Sequence, residues 1–157
     1  MENFVRTLIP DGHKLSTEQL KHPQVQEAVR VHLTNVLNTL YFGELYVGTP
    51  PQKMSVIYDT GSDWTVLESK YCANCLLHTY DSQRSLTHSR VDMEYKEHVY
   101  GSAHLYGYDA KDVVSLDAEG TCEVRDFEFF EIYKQYGISE KVDGILGLSR
   151  AWKSENY

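Results

Sequence analysis

The stretch that most constrains the fold is residues 54–63, where a short apolar run ends in one carboxylate. The run 56–58, Val-Ile-Tyr, is β-branched and aromatic, and a short run of this kind predicts a buried strand. The strand delivers Asp59 to a tight turn. There Gly61 permits close backbone approach, and its amide can point at the carboxylate. The stretch therefore predicts a strand that ends by presenting a single acid.

Two small hydroxyls, Thr60 and Ser62, flank that glycine. An ionised carboxylate in an apolar setting is costly unless donors surround it. Amide and hydroxyl donors would keep Asp59 ionised and in one orientation, as a catalytic aspartate requires. The alternative is a strand that ends in an Asx-type turn, with Asp59 as a local cap.

Size and composition narrow the class of protein. With 157 residues the chain is long enough for one domain with a real core, and 12% aromatic residues favour a β-rich fold. The net charge is −8, and no basic run interleaves with aromatics, so nucleic acid is not expected as a partner. No apolar stretch approaches the length of a membrane span.

The amino-terminal part, residues 1–40, differs in pattern from the rest. Pro23 lies where a helix can start, and the apolar residues that follow have helical spacing, which predicts an amphipathic helix over about 23–37. Those residues are Val25, Ala28, Val29, His32, Leu33, Val36 and Leu37. The helix could pack its apolar face on the domain, or it could be a pro-segment or a docking arm for a partner.

From residue 41 onward the period is that of strands. Predicted strands cover 41–48, 53–58, 64–67, 91–99, 103–108, 112–116, 122–133 and 142–148. The first two form a hairpin that ends at Asp59, and those on either side of residues 100–103 form a second hairpin. Phe127, Phe129, Phe130 and Ile132 are predicted to be core. Gly144 and Gly147 interrupt an apolar strand, which indicates that another backbone passes close beside it.

Three linked motifs carry a family resemblance. They are Tyr41-Phe42-Gly43 with residues 47–52 and 56–62, then Tyr100-Gly101-Ser102 with Gly107 and Asp112, then residues 142–148, Val-Asp-Gly-Ile-Leu-Gly-Leu. In order and spacing this series resembles the amino-terminal lobe of pepsin-like aspartic proteases. The resemblance implies a mostly β fold, a single lobe of the pepsin-like β-barrel over 41–157, with the helical extension before it.

The resemblance also implies roles for particular residues. Asp59 would be catalytic, supported by Thr60, Gly61 and Ser62. Tyr100, Gly101 and Ser102 would form the flap that closes over a bound peptide, although an exposed hairpin tyrosine would look the same. Those three residues are the predicted flap and substrate-binding site.

The sequence departs from the family pattern at three places, the first of which is Asp63, a second charge next to Ser62. Ala103 replaces the second flap glycine, which should stiffen the tip if the backbone there needs a positive φ. The tryptophan that meets the flap tyrosine in the family would fall at Val66, whereas Trp64 lies two residues earlier.

The three cysteines allow at most one internal disulfide. The family often has a small disulfide loop after the catalytic turn, which makes Cys72–Cys75 the expected pair in an oxidising compartment. Free thiols are the alternative in a reducing one. Zinc binding by Cys72, Cys75, His78 and Cys122 is the weakest option, because no second Cys-x-x-Cys pair supports it. We therefore predict no metal and no cofactor.

Catalysis in this family needs two aspartates, and the sequence contains no second Asp-Thr-Gly or Asp-Ser-Gly. We therefore expect an aspartic endopeptidase in which this chain supplies one lobe and is inactive alone. The second lobe would come from chain beyond Tyr157 or from another subunit and would cover the open face. The alternative is a non-catalytic lobe, acting as a structural or binding subunit of a larger assembly. The resemblance implies a secretory or lysosome-like compartment, although the sequence shows no signal peptide.

Overall fold

The computed structural model describes residues 29–77, 80–138 and 142–149. The chain divides after Arg30, and the fold described below belongs to the unit that begins at Val31. Its nine strands are β1 (Thr34–Val36), β2 (Leu40–Val47), β3 (Gln52–Asp59), β4 (Val66–Glu68), β5 (Ser89–Arg90), β6 (Lys96–Tyr100), β7 (Ala103–Ser115), β8 (Glu123–Tyr136) and β9 (Gly144–Gly147). Within the described residues the helical element is one 3-10 turn, Ser82–Arg84.

The strands form one sheet that closes on itself. Its order is β1-β2-β3-β9-β4-β8-β7-β5, and β6 pairs with β7 outside this path. Because β2 also pairs with β7, at Tyr46–Ser115 and Val47–Val114, six strands make a closed circuit of hydrogen-bonded neighbours. The fold is therefore mostly β and barrel-like, as the sequence predicts.

Two parallel pairings fix the middle of this sheet. Strand β9 runs parallel to β3 and antiparallel to β4, and β4 in turn runs parallel to β8. Strand β9 therefore lies between β3 and β4, although it follows them by about 80 residues in the chain. The long return is what threads the Gly-Ile-Leu-Gly segment beside the end of β3.

Strand β8 is the centre of the core. Successive side chains of a strand point to opposite faces of the sheet. Accordingly Phe129 packs in one apolar cluster, and Phe130 and Ile132 pack in a second one. All three are fully buried and Phe127 is partly buried, so the predicted core role of this segment is confirmed.

The predicted helix over 23–37 is wrong in its second half. Residues 29–33 have no regular secondary structure, and Thr34–Val36 form β1, which pairs with β2. Leu37 and Asn38 both have positive φ, the geometry of a tight hairpin turn, and the Asn35 side chain accepts from the Asn38 amide. Pairing with β2 and this turn outweigh the helical spacing. Residues 23–28 lie outside the described residues.

Two strand predictions also need correction. Residues 91–99 are not one strand, because Asp92 accepts a hydrogen bond from the Glu94 amide and turns the chain before β6 begins at Lys96. The strands predicted at 103–108 and 112–116 are one strand, β7, with irregular register between Asp112 and Val114.

Candidate active site

Asp59 lies at the last residue of β3, and the turn that follows it (residues 59–63, the Asp59 turn) holds its carboxylate at both oxygens. The Gly61 amide donates to Oδ1 at 2.9 Å, and the Ser62 hydroxyl donates to Oδ2 at 2.7 Å. A Cβ at Gly61 would lie 3.2 Å from Oδ1, so a small residue suits this position. The carboxylate is thus held in one orientation while Asp59 stays partly exposed.

Strand β9 supports the same turn from the backbone side. Asp59 pairs with Gly147, the Leu148 amide donates to the Asp59 carbonyl at 2.7 Å, and the Ser149 amide donates to the Ser62 carbonyl at 2.9 Å. These bonds fasten both ends of the turn to the end of β9 and the two residues that follow it. Thr60, at the outer part of the turn, is exposed.

The two glycines of β9 are needed because β4 passes immediately beside them. A Cβ at Gly147 would lie 2.6 Å from the Trp64 carbonyl oxygen, and a Cβ at Gly144 would overlap the Val66 carbonyl. The predicted close passage of a second backbone is therefore confirmed, and that backbone belongs to the segment that leaves the Asp59 turn.

The second site element is the flap hairpin, which we define as residues 96–107. Tyr100 pairs with Ala103, so Gly101 and Ser102 form a two-residue tip, both exposed, with Gly101 at φ +60°. The described part of Tyr100 is its backbone, which ends β6.

Ala103 does not act as the sequence suggested. It is not among the positive-φ residues, and it is 5% exposed as the first residue of β7. The condition for a stiffened tip, a left-handed backbone at this position, is therefore not met. Ala103 instead packs beside Gly137, where an added Cβ would lie 3.1 Å from the Ala103 Cα.

The segment that leaves the Asp59 turn meets the flap hairpin through two aromatic rings. The Trp64 indole lies 4.9 Å from the His98 imidazole, centroid to centroid, whereas Val66 is buried in the core. His98 was not singled out from the sequence. No local signal marks it, because its contact with Trp64 joins two segments that are distant in the chain.

Cys72 and Cys75 form a disulfide, with Cα atoms 5.4 Å apart and both residues buried in the second core cluster. The loop is fastened to β8, because the Asn74 side chain donates to the Gln135 carbonyl at 2.6 Å and accepts from its amide at 3.0 Å. The bond uses both thiols that the zinc alternative required. His78 lies outside the described residues, and Cys122 is an exposed free thiol.

A buried carboxyl group lies on β4, next to β9. Burial, and to a smaller extent the nearby Asp143 charge, raise the pKa of Glu68 to about 7, against the opposing effect of the hydrogen bond from the Leu77 backbone. Asp143 itself accepts a hydrogen bond from the Ser55 amide at 2.7 Å. The strands that support the Asp59 turn thus enclose two acids, one of which changes charge near neutrality.

The sequence model of the family described as "Eukaryotic aspartyl protease" matches residues 40–156. The chain belongs to this family. Among its relatives are cathepsin D of Gallus gallus, 38% identical over 74% of the chain, and cathepsin D of Rattus norvegicus, 35% identical over 97%. Aspartic proteinase A1 of Arabidopsis thaliana is 41% identical over 75%.

The chain spans only part of these aspartyl proteases. It covers 30% of the Gallus cathepsin D, 40% of the Rattus one and 24% of the Arabidopsis proteinase. The fold seen here is accordingly a single pepsin-like lobe. In the part of this family member that the structure describes, no helix is long and apolar enough to cross a membrane.

Proposed function

We propose that this chain supplies one lobe of an aspartic endopeptidase, with Asp59 as one of the two catalytic carboxylates. The observation that carries the proposal is the geometry of Asp59. It is partly exposed at a strand end, both carboxylate oxygens accept a hydrogen bond, and β9 fastens the turn from behind. If Asp59 only capped an Asx-type turn, the backbone hydrogen bonds from residues 147–149 to this turn would not be needed.

The proposed mechanism needs a second carboxylate beside Asp59. Two carboxylates held side by side cannot both ionise, so the pair shares one proton and titrates as a unit. The ionised member takes a proton from a water molecule, which attacks the peptide carbonyl, and the protonated member polarises the carbonyl oxygen. Because side chains and water supply every proton, this chemistry uses no metal and no cofactor.

Within this mechanism the residues of the chain have distinct tasks. Gly61 and Ser62 hold the Asp59 carboxylate towards the water, and Thr60 lies at the exposed side of the turn, where a second lobe would meet it. Tyr100, Gly101 and Ser102 would cover an extended peptide. The second lobe would come from further chain or from another subunit, and the compartment would be acidic and lysosome-like.

The first measurement is the intact mass of the protein from its natural source. A mass near 18.1 kDa means a single lobe that must find its partner in another subunit. A mass about twice as large means that a second lobe of ordinary domain size is part of the same chain. The form that is found is then the one to assay.

The assay is cleavage of a fluorogenic peptide at acid pH by that form, with wild type, Asp59→Asn and Asp63→Asn compared. Asp59→Asn should abolish cleavage because an amide cannot take the proton from water. Asp63→Asn is the matched control, an exposed acid of the same turn, and should keep it. If Asp59→Asn cleaved like wild type, the assignment would be wrong. If wild type cleaved nothing, the non-catalytic binding lobe would replace the endopeptidase.

A further inference from the structure

The contact between Trp64 and His98 joins the segment after the Asp59 turn to the flap strand β6. The indole and imidazole rings are tilted by 44° at 4.9 Å. The His98 ring also meets Phe130 edge to face at 4.4 Å, and Phe130 is fully buried in β8. His98 therefore contacts both the core and the indole of the segment that leaves the Asp59 turn.

The flap strand has little other support from the sheet. Among the described residues β6 pairs with β7 alone, whereas β7 also pairs with β2, β5 and β8. The tip residues Gly101 and Ser102 are exposed. Because β6 has this single strand partner, a side-chain contact from β6 to Trp64 contributes strongly to the position of the hairpin.

The charges around His98 favour a contact that strengthens in acid. Asp109 of β7 places Oδ1 3.7 Å from His98 Nε2, and this buried oxygen has no hydrogen-bond partner within the described structure. Lys96 donates to the other Asp109 oxygen at 2.6 Å and to Asp92 at 2.7 Å. The carboxylates of Asp92 and Asp109 and the ammonium of Lys96 together carry one net negative charge. A protonated His98 would balance that charge. Phe130 and Trp64, the groups facing His98 from β8 and from the loop, are uncharged.

We propose that the Trp64–His98 contact anchors the flap hairpin to the segment that leaves the Asp59 turn, with His98 as a positioning residue whose protonation tightens the anchor. An imidazolium facing an indole gains a cation–π attraction that neutral imidazole lacks. The consequence for catalysis depends on the proposed endopeptidase function, but the contact itself does not.

The first test reads the contact optically in the full chain. The chain has two tryptophans, so Trp152→Phe leaves Trp64 as the sole emitter. Its fluorescence should fall in one step on acidification, because histidine gains its charge on acidification and the imidazolium would then lie against the indole. Adding His98→Gln should remove the step. Adding His104→Gln, the matched control on β7 whose ring pairs with Glu97, should leave it. An unchanged step in the His98 variant would overturn the proposal.

The second test reads the position of the flap by hydrogen exchange of the amides at residues 101–103. His98→Gln should speed their exchange at acid pH by about tenfold, which is the effect of losing one contact of ordinary cation–π strength. His98→Phe keeps a ring against Trp64 without the charge, so it should retain most protection and lose its pH dependence. Equal exchange in wild type and His98→Gln would contradict an anchoring role, even in a protein without protease activity.

Discussion

The Asp59 turn and the flap tip are both short, partly exposed motifs, but the structure holds them by different means. The turn is fastened by backbone bonds to β9, with glycines so close to β4 that no side chain fits. Around the tip, an added Cβ at Gly101 would have no atom within 4 Å. The comparison indicates that this lobe holds the Asp59 carboxylate rigidly and leaves open space around the flap tip.

The largest effect that would test this comparison is Gly144→Ala. The new methyl group would collide with the Val66 carbonyl, which is backbone and cannot rotate away. We expect a loss of about 3 kcal/mol or more in the free energy of unfolding, the upper range for overpacking a core. Urea unfolding at constant m-value measures it. A loss below about 1 kcal/mol would show that β4 and β9 can separate and that the turn is not rigidly supported.

The second prediction concerns Glu68, whose pKa burial raises from 4.5 to about 7. A raised carboxyl pKa means that the folded state prefers the proton, so the stabilisation is complete below pH 4.5 and is lost as the pH rises to about 7. Glu68→Gln cannot ionise and should remove this loss, up to about 3 kcal/mol.

The measurement for Glu68 is the urea midpoint of both proteins across that pH range. The two curves should run close together in acid and diverge towards neutrality, with the variant more stable. Asp63→Asn, an exposed acid, serves as the control and should follow wild type. If the urea midpoints of wild type and Glu68→Gln changed in parallel with pH, the protonation of Glu68 would not be the cause of the pH-dependent stability.

The third prediction separates orientation of Asp59 from support of the fold. Ser62→Ala removes the hydroxyl that donates to Asp59 Oδ2. A hydrogen bond to a charged group is worth about 1.5–3 kcal/mol, so kcat/KM for peptide cleavage should fall by about 10- to 150-fold in the active form. The free energy of unfolding should fall by less than this, because water can replace the lost hydroxyl at the partly exposed carboxylate of the free lobe. If kcat/KM held steady, the Gly61 amide alone would suffice to hold the carboxylate.

The smallest effect is expected at the flap tip, with Gly101→Ala. The position has φ +60° but open space around it, so only the left-handed backbone opposes the methyl group. The expected loss is about 1 kcal/mol or less, because the tip opens locally before the lobe unfolds. Hydrogen exchange at residues 101–103 should report the change more strongly than the urea midpoint does. A loss equal to that of Gly144→Ala would erase the contrast between the two regions.

Much of the sheet and of the Asp59 turn could be predicted from the sequence because their signals are local. Alternation and β-branching mark β2 and β3, and Asp-Thr-Gly-Ser marks the turn. Gly144 and Gly147 in an apolar strand also indicate that another backbone passes close to β9, because a side chain at either position would leave no room for it.

The rest could not be predicted because it depends on partners distant in sequence. The spacing of Val29, Leu33 and Val36 suits a helix, yet pairing with β2 decides β1. The role of His98 depends on Trp64 and Asp109, and neither contact has a sequence signature. The same is true of Glu68, whose titration follows from burial beside β9 rather than from its neighbours in the chain.

Strand β8 contributes Phe129 to one apolar cluster and Phe130 to the other. Loosening either cluster exposes part of the strand on which the other depends, so neither half has a stable folded form without its neighbour. The two core clusters should therefore melt as a single cooperative unit, with no half-folded species in which one cluster survives after the other is lost, while the flap tip opens locally beforehand. Chaperones and proteases in the cell would therefore meet this lobe either fully folded or fully unfolded, with its apolar residues exposed in the second case.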